Sequence, residues 1–427
     1  MHKVLRLLRD YESRNVTFID PDGSWPIVWK RARGVHVWDA TGKKYLDLTA
    51  AFGVANAGHA NPAVVRAGRG QLGELLHAMG DVHPHARKAE LARELSRITF
   101  ERWSAGKQRG KTIFCSSGFE AVEAALKTAM LSTGKRGIIA FTGAYHGLGY
   151  GALNATHRQF FRGPFRLQLA EFGHFAPFPA SPIDLQRAKK VIGDLFKSSS
   201  IGAVLVEPVQ GRGGIRIPDP EFLPLLREMC DRHHALLIVD EVFTGFGRTG
   251  RWFACEHTNA IPDLICLGKA LTGGFPLSAC VGKAEVVDAW PPSDGEAIHT
   301  STFLGHPVGC AMAVAQIREI EARNLPDKSS RLGAVLLDYL SSKLRSHHVL
   351  SPRGLGLMAG IELNHNHGTP AKVETLQIIK HMLQKRYILL PEGEHSNVIA
   401  LTPPLTITEG QLADALKALS KAVWQFF

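Results

Sequence analysis

Short apolar runs punctuate the middle of the chain: TIFC (112–115), GIIAF (137–141), GAVLVEP (202–208), ALLIVDE (235–241) and DLICLG (263–268). Each is continuous rather than alternating, as in strands buried on both faces. Between them lie segments of helical spacing, such as GFEAVEAALKTAM (118–130) and DPEFLPLLREMCDRH (219–233). This alternation predicts an α/β domain over residues 61–325, with a mostly parallel sheet covered by helices on both faces. The flanks read differently. Residues 34–48, GVHVWDATGKKYLDL, alternate around an Ala-Thr-Gly-Lys turn and predict a β-hairpin. Beyond residue 325 the pattern gives a helix (327–345), a strand-like GLGLMAGIEL (354–363), a second helix (371–385) and TPPLTIT (402–408). Thr408 is then the expected N-cap of a last helix. Residues 326–427 thus form a smaller α+β domain, which the N-terminal segment 1–60 is expected to join. No internal repeat or low-complexity tract interrupts the chain.

Composition narrows the function. The chain has 427 residues, 45% hydrophobic and 21% charged, with a net charge of +11. The basic stretches KRARG (30–34), GKQRGK (106–111) and RAKK (187–190) are short and scattered. A nucleic-acid footprint needs clustering, so a solvated basic surface is expected, and an anionic substrate or cofactor also suits the bias. The six cysteines form no C-x-x-C pair and several sit in apolar segments, which points to reduced thiols and a cytoplasmic protein. The opening MHKVLRLLRDYESRN has no apolar core of a secretory signal. No apolar run approaches the ~20 residues that span a bilayer. His233-His234, His347-His348 and His365/His367 are close in sequence but repeat no metal-ligand spacing, and no metal site is expected.

Three apolar runs end on ionisable groups. GAVLV leads into Glu207, ALLIV into Asp240 and DLICLG into Lys269, about one βαβ unit (roughly 30 residues) apart. Ligands of open parallel sheets bind outside the carboxyl ends of the strands. A single such charge is usually just solvated; three in succession, each with a glycine-containing turn, point to one site. A desolvated lysine becomes a nucleophile towards carbonyls. An acid that keeps a pyridine nitrogen protonated completes the chemistry of pyridoxal phosphate (PLP). CSSGFEAVEAALK (115–127) supplies a phosphate cradle, with Ser116, Ser117 and Gly118 just before a helix. The same residues also read as an ordinary Ser N-cap with Glu120 in the first turn. Tyr145 in TGAYHGLG is placed to lie on the ring, and Val242 shares the side of Asp240. Gly245, Gly247 and Gly250 spell G-x-G-x-x-G, but the preceding strand runs into Asp-Glu and RWFACEHTNAIPD opens no helix. A dinucleotide cradle needs both contexts, so GFGRTG reads as a turn.

The segment LIVDEVFTGFGRTGRWFACEH…PDLICLGKALTGGFPLSA resembles the signature of class III (ω-) PLP-dependent aminotransferases of fold type I. GHANP, SGFEAVEAALK, YHG, VEPVQG, HTSTFLGHP, RGLGLMAGIEL and PPLTIT stand in family order, over nearly the whole chain. The resemblance implies a large domain with a seven-stranded-type, mostly parallel sheet and a small α+β domain built from both termini. It makes Lys269 the Schiff-base lysine and Asp240 the pyridine-nitrogen partner. Val242 and Tyr145 sandwich the ring, and Ser117 and Gly118 bind the phosphate. Thr302 would reach the phosphate of a neighbouring subunit, implying a homodimer with shared sites. Glu207 matches a glutamate that in many relatives pairs with a substrate-reading arginine. The implied reaction moves an amino group from an amine donor to a keto acid or aldehyde. A racemase or aminomutase on the same scaffold, or a non-catalytic PLP-binding protein, would need many of the same residues.

The sequence departs from the family where substrates are read. Leu148 follows YHG and Ala400 precedes the Pro-Pro motif, where many relatives have arginine. Phe243 stands where some carry Gln, and Phe119 where Ser or Thr is usual. A more apolar pocket is expected, with Phe52, Val54, Leu148 and Trp25 as candidate lining, although each also reads as plain core. Arg212 and His395 are candidates for substitute contacts to an acid.

Overall fold

The computed structural model describes residues 2–344, 346 and 348–427. Its centre is a seven-stranded sheet in the order Gly110–Cys115, Ser278–Lys283, Leu264–Leu267, Leu236–Asp240, Ile201–Val206, Gly137–Phe141, Gly173–Ala176. Ser278–Lys283 runs antiparallel to both its neighbours, and the pairs from Leu264–Leu267 to Gly173–Ala176 are parallel. The five apolar runs all become strands. Gly173–Ala176 and Ser278–Lys283 escape a pattern reading, because GHFA is short and polar-interrupted and SACVGK is built of small residues.

Continuous apolarity has its expected cause. Every residue of Ile201–Val206, Gly137–Phe141 and Leu264–Leu267 is buried. Helix Gly118–Thr133 covers one face with Ala121, Ala124, Ala125 and Ala129. Alanine lets the helix lie close to the sheet without losing helix propensity. Phe222–His233 and Pro182–Ser198 cover the other face through Leu226, Cys230, Ala188 and Ile192. Each buried Leu, Ile or Val stabilises the fold by about 1.5–3 kcal/mol before entropy is counted.

Two four-stranded sheets flank this core. Trp29–Arg33, His36–Asp39 and Lys44–Asp47 form an antiparallel meander that contains the expected hairpin, and Tyr387–Ile388 adds to it in parallel. The second sheet runs Val349–Leu355, Met358–Leu363, Val398–Leu401, Leu390–Glu392. GLGLMAGIEL is therefore not one strand but the end of the first arm, the turn and the second arm of a hairpin, reversed at Gly356 with φ 56°. Helices Leu325–Lys343 and Lys372–Gln384 fall where the spacing places them; Arg345, in the expected range of the first, lies outside the described residues, as does His347. Thr408 caps Glu409–Phe426: its Oγ1 accepts from Gln411 N at 3.2 Å, and Gln411 Oε1 accepts from Thr408 N at 3.0 Å.

Candidate active site

The carboxyl ends of three adjacent strands deliver Glu207, Asp240 and Lys269 to one cavity of about 410 Å³. Gly118, Phe119, Tyr145, His146, Leu148, Arg212, Val242 and Phe243 also line it. Lys269 is half-buried in the cavity wall, and desolvation lowers its amine pKa; Asp240 and Glu207 pull the other way. Its backbone sits at φ 40°, a strained conformation for a side-chain-bearing residue of the kind found at functional sites. Nζ lies 4.1 Å from the Phe243 ring centre. That ring is wedged between Gly53 and Gly211, where an added Cβ would approach it to 2.4 and 2.3 Å. Only glycine at both positions leaves room for it.

Asp240 is fixed by two contacts. Oδ1 accepts from Val242 N at 3.0 Å, and Oδ2 lies 2.8 Å from His146 Nδ1. His146 is buried and its Nε2 has no partner among the described residues. No role falls to this histidine on sequence alone, although it sits in YHG beside Tyr145; its pairing with a residue 94 positions away has no local signal. Glu207 accepts from Tyr145 N at 2.9 Å and Gly211 N at 3.1 Å. Burial raises its pKa to about 7. No arginine pairs with it among the described residues; the space at Ala400 is filled by Val209, Ile215 and Met358.

The residues present suit PLP. Ser117 Oγ is buried without a partner at the N-terminus of the 16-residue helix Gly118–Thr133. A Cβ on Gly118 would come within 3.0 Å of Val242, so the glycine keeps a space open between helix and strand. Glu120 Oε2 takes the N–H groups of Ser116 and Ser117 at 2.7 and 2.9 Å. The arrangement has the form of a capping box with Glu120, in which the Ser117 hydroxyl makes no close hydrogen bond among the described residues.

Not every candidate converges. Thr302 is exposed and outside the cavity. Phe52 is 53% exposed and its neighbour Gly53, not Phe52, abuts the cavity wall at Phe243. Val54 and Trp25 are partly buried and do not line it, and His395 lines adjoining cavities. The glycines of GFGRTG make a turn around Arg248, which is fully buried. Its Nη1 donates to Leu357 O at 2.8 Å and Pro403 O at 2.6 Å, and its Nη2 to Asn56 Oδ1 at 2.5 Å. The motif is a structural clamp joining three segments of the chain.

The fold and this lysine–aspartate arrangement define a PLP-dependent enzyme of fold type I. Residues 19–423 match the model of the family described as aminotransferase class-III, and the chain belongs to that family. Its cofactor is pyridoxal phosphate. The chain is 39% identical over 399 residues to an acetylornithine aminotransferase of Methanopyrus kandleri, covering 93% of this chain and 95% of that one. It is 36% identical over 405 residues to the 5-aminovalerate aminotransferase of Pseudomonas aeruginosa, covering 93% of each. Among solved structures, an amine transaminase from an uncultivated Pseudomonas species in its PLP-bound form superposes with a TM-score of 0.89 at 29% identity, over 98% of this chain and 99% of that one.

Proposed function

We propose that this aminotransferase moves an amino group from a primary amine or ω-amino acid to a keto acid or aldehyde in two half-reactions, favouring a donor with an apolar body. The observation that supports it is the cavity itself: a half-buried lysine of lowered pKa and a doubly anchored aspartate, walled by Phe119, Leu148, Val209 and Phe243. The relatives named for acetylornithine and 5-aminovalerate support a terminal amine on an extended chain.

Each residue has a role in this reading. Lys269 would hold the cofactor covalently; its freed Nζ would then move a proton from the substrate's amine-bearing carbon to the cofactor carbon that had carried the lysine, within one half-reaction, and in the opposite direction in the other. Burial favours the neutral amine this requires. When bound, PLP supplies the electron sink that makes that carbon acidic. Asp240 keeps the pyridine nitrogen protonated, and His146 and Val242 N–H hold its carboxylate in orientation. Ser117 and Gly118 bind the phosphate at a helix N-terminus. Tyr145 and Val242 cover the two ring faces, and Glu207 closes the wall behind Tyr145. Thr302, exposed in one chain, serves the partner's site in a homodimer.

We also read 61–325 as the large domain, and 1–60 with 326–427 as the small one, supported by the pairing of Tyr387–Ile388 with Lys44–Asp47. Six buried free cysteines support a cytoplasmic setting. No helix among the described residues is long and apolar enough to cross a membrane.

The test is a half-reaction. PLP-loaded protein is given single amines without acceptor, and loss of the bound cofactor's visible absorbance is followed together with carbonyl product. Stoichiometric carbonyl release is expected, fastest from carboxylate-free amines and diamines. A scrambled stereocentre with no carbonyl product would instead mean an isomerase.

A further inference from the structure

The two half-reactions set this cavity conflicting demands. A keto acid brings a carboxylate that needs a cation, whereas an uncharged-tail amine is repelled by a cation left bare in an apolar pocket. The arginines expected at 148 and 400 are absent. Arg212 is the only arginine lining the catalytic cavity among the described residues. It also lines a second, adjoining cavity of about 560 Å³ with Arg158, Lys372 and His395. Its guanidinium lies 5.7 Å from the Tyr145 ring centre, so it reaches the edge of the ring-binding position. Its backbone is pinned: Arg212 O accepts from Gly393 N at 3.2 Å, and Glu207 Oε2 accepts from neighbouring Gly211 N at 3.1 Å. The loop backbone is fixed, whereas the long side chain makes no hydrogen bond among the described residues.

Its present partner holds it loosely. Glu392, at the end of strand Leu390–Glu392, lies 3.7 Å from Arg212 Nη1, too far for a hydrogen bond. A close arginine–carboxylate pair sits at ~2.7–2.9 Å and is often bidentate. Glu392 is itself only 6% exposed. Burial raises its pKa, and Arg212, Lys269 and Arg158 only partly offset this. Here is a buried carboxylate, poorly satisfied, beside a half-used arginine fork.

We infer that Arg212 binds the carboxylate of acidic substrates, and that Glu392 stands in for that carboxylate as an internal counter-anion when a carboxylate-free amine occupies the site. The inference rests on the aminotransferase reading above and names the acids it takes: keto acids, and ω-amino acids whose carboxylate turns toward the second cavity. An incoming carboxylate accepts both N–H edges of the guanidinium and displaces Glu392, which takes up a proton or swings toward Arg158. The substrate's apolar stem then lies against Phe119 and Leu148.

Matched probes that differ by one carboxylate test this. Half-reactions are measured for 5-aminopentanoate against pentylamine, and for pyruvate against propanal, in wild type, Arg212→Met, Glu392→Gln and Arg158→Met. Calorimetric binding of pentanoate to the PLP-loaded protein gives a readout without turnover. In Arg212→Met the acid-to-neutral ratio of kcat/KM falls about tenfold or more, chiefly through KM for the acids, and pentanoate binding weakens to match. In Glu392→Gln pentanoate binds several-fold tighter, about threefold to tenfold, because its competitor has lost its charge. Arg158→Met shifts the ratio by less than about threefold, since its side chain is outside the catalytic cavity. Equal losses on both members of each pair in Arg212→Met would make Arg212 a mere tie between loop and strand, and would overturn the inference. So would a ratio change carried by Arg158→Met instead. If no amine of any kind releases a carbonyl product from the wild type, the aminotransferase reading fails first, a result separable from either of these.

Discussion

At the residue scale, the site is a set of charges whose environments differ. Lys269 lies half-buried among acids but also against an aromatic face, and desolvation dominates. Asp240, by contrast, spends both oxygens on fixed donors. Lys269→Ala is expected to cut turnover by at least about 1000-fold, with rapid-quench product assays as the check. Asp240→Asn should slow the half-reaction by about 100-fold or more while cofactor affinity, titrated by fluorescence, changes far less. Near-wild-type rates in the asparagine variant would remove its electronic role. The two central charges were legible because each ends a continuous apolar run. Their supports were not. His146 meets Asp240 and Glu392 meets Arg212 through tertiary packing, across sequence separations that leave no period or motif. The expectation for Phe52 rested on its match to the family's N-terminal region, and within one chain its side chain lies 53% exposed at φ 61°.

At the scale of elements, glycines and one arginine do the joining. The turn that imitates a dinucleotide cradle has Gly247 and Gly250 at φ 89° and 95°, which wraps the backbone around the Arg248 side chain. Burial lowers the pKa of that guanidinium to about 9, yet two carbonyls and an amide oxygen receive its N–H groups. Arg248→Met leaves those acceptors dry and unpaired. A loss of about 3–5 kcal/mol in urea unfolding is expected; a loss below about 1 kcal/mol would mean that water replaces the guanidinium. A sequence reading rejects the cradle from its flanks alone, but it does not reveal the clamp. The partners at 56, 357 and 403 come from three distant segments. Strand prediction failed in the same way, where Gly356 reverses a run that reads as unbroken.

For the whole molecule, acid groups buried without cations make stability depend on pH. Glu241 accepts from Cys255 N at 2.8 Å and from the Thr244 hydroxyl, and burial raises its pKa from the ordinary 4.5 to about 7. The folded chain therefore holds this proton more tightly than the unfolded one. Its contribution is fully present below about pH 4.5 and is lost as pH rises through 7, up to about 3 kcal/mol. Glu241→Gln should remove that slope, so its stability relative to wild type rises between pH 5 and 8 in urea melts at each pH. A constant difference would show that Glu241 stays charged throughout. The order of assembly is a further matter. Tyr387–Ile388 closes the edge of the N-terminal meander at Lys44–Asp47, and Arg386 Nη1 reaches Tyr45 Oη across 341 positions of chain. During synthesis that edge stays open for on the order of tens of seconds. An open edge is a template for any other strand. The Lys44–Asp47 edge is thus open to foreign strands until Tyr387–Ile388 has been made and can cover it.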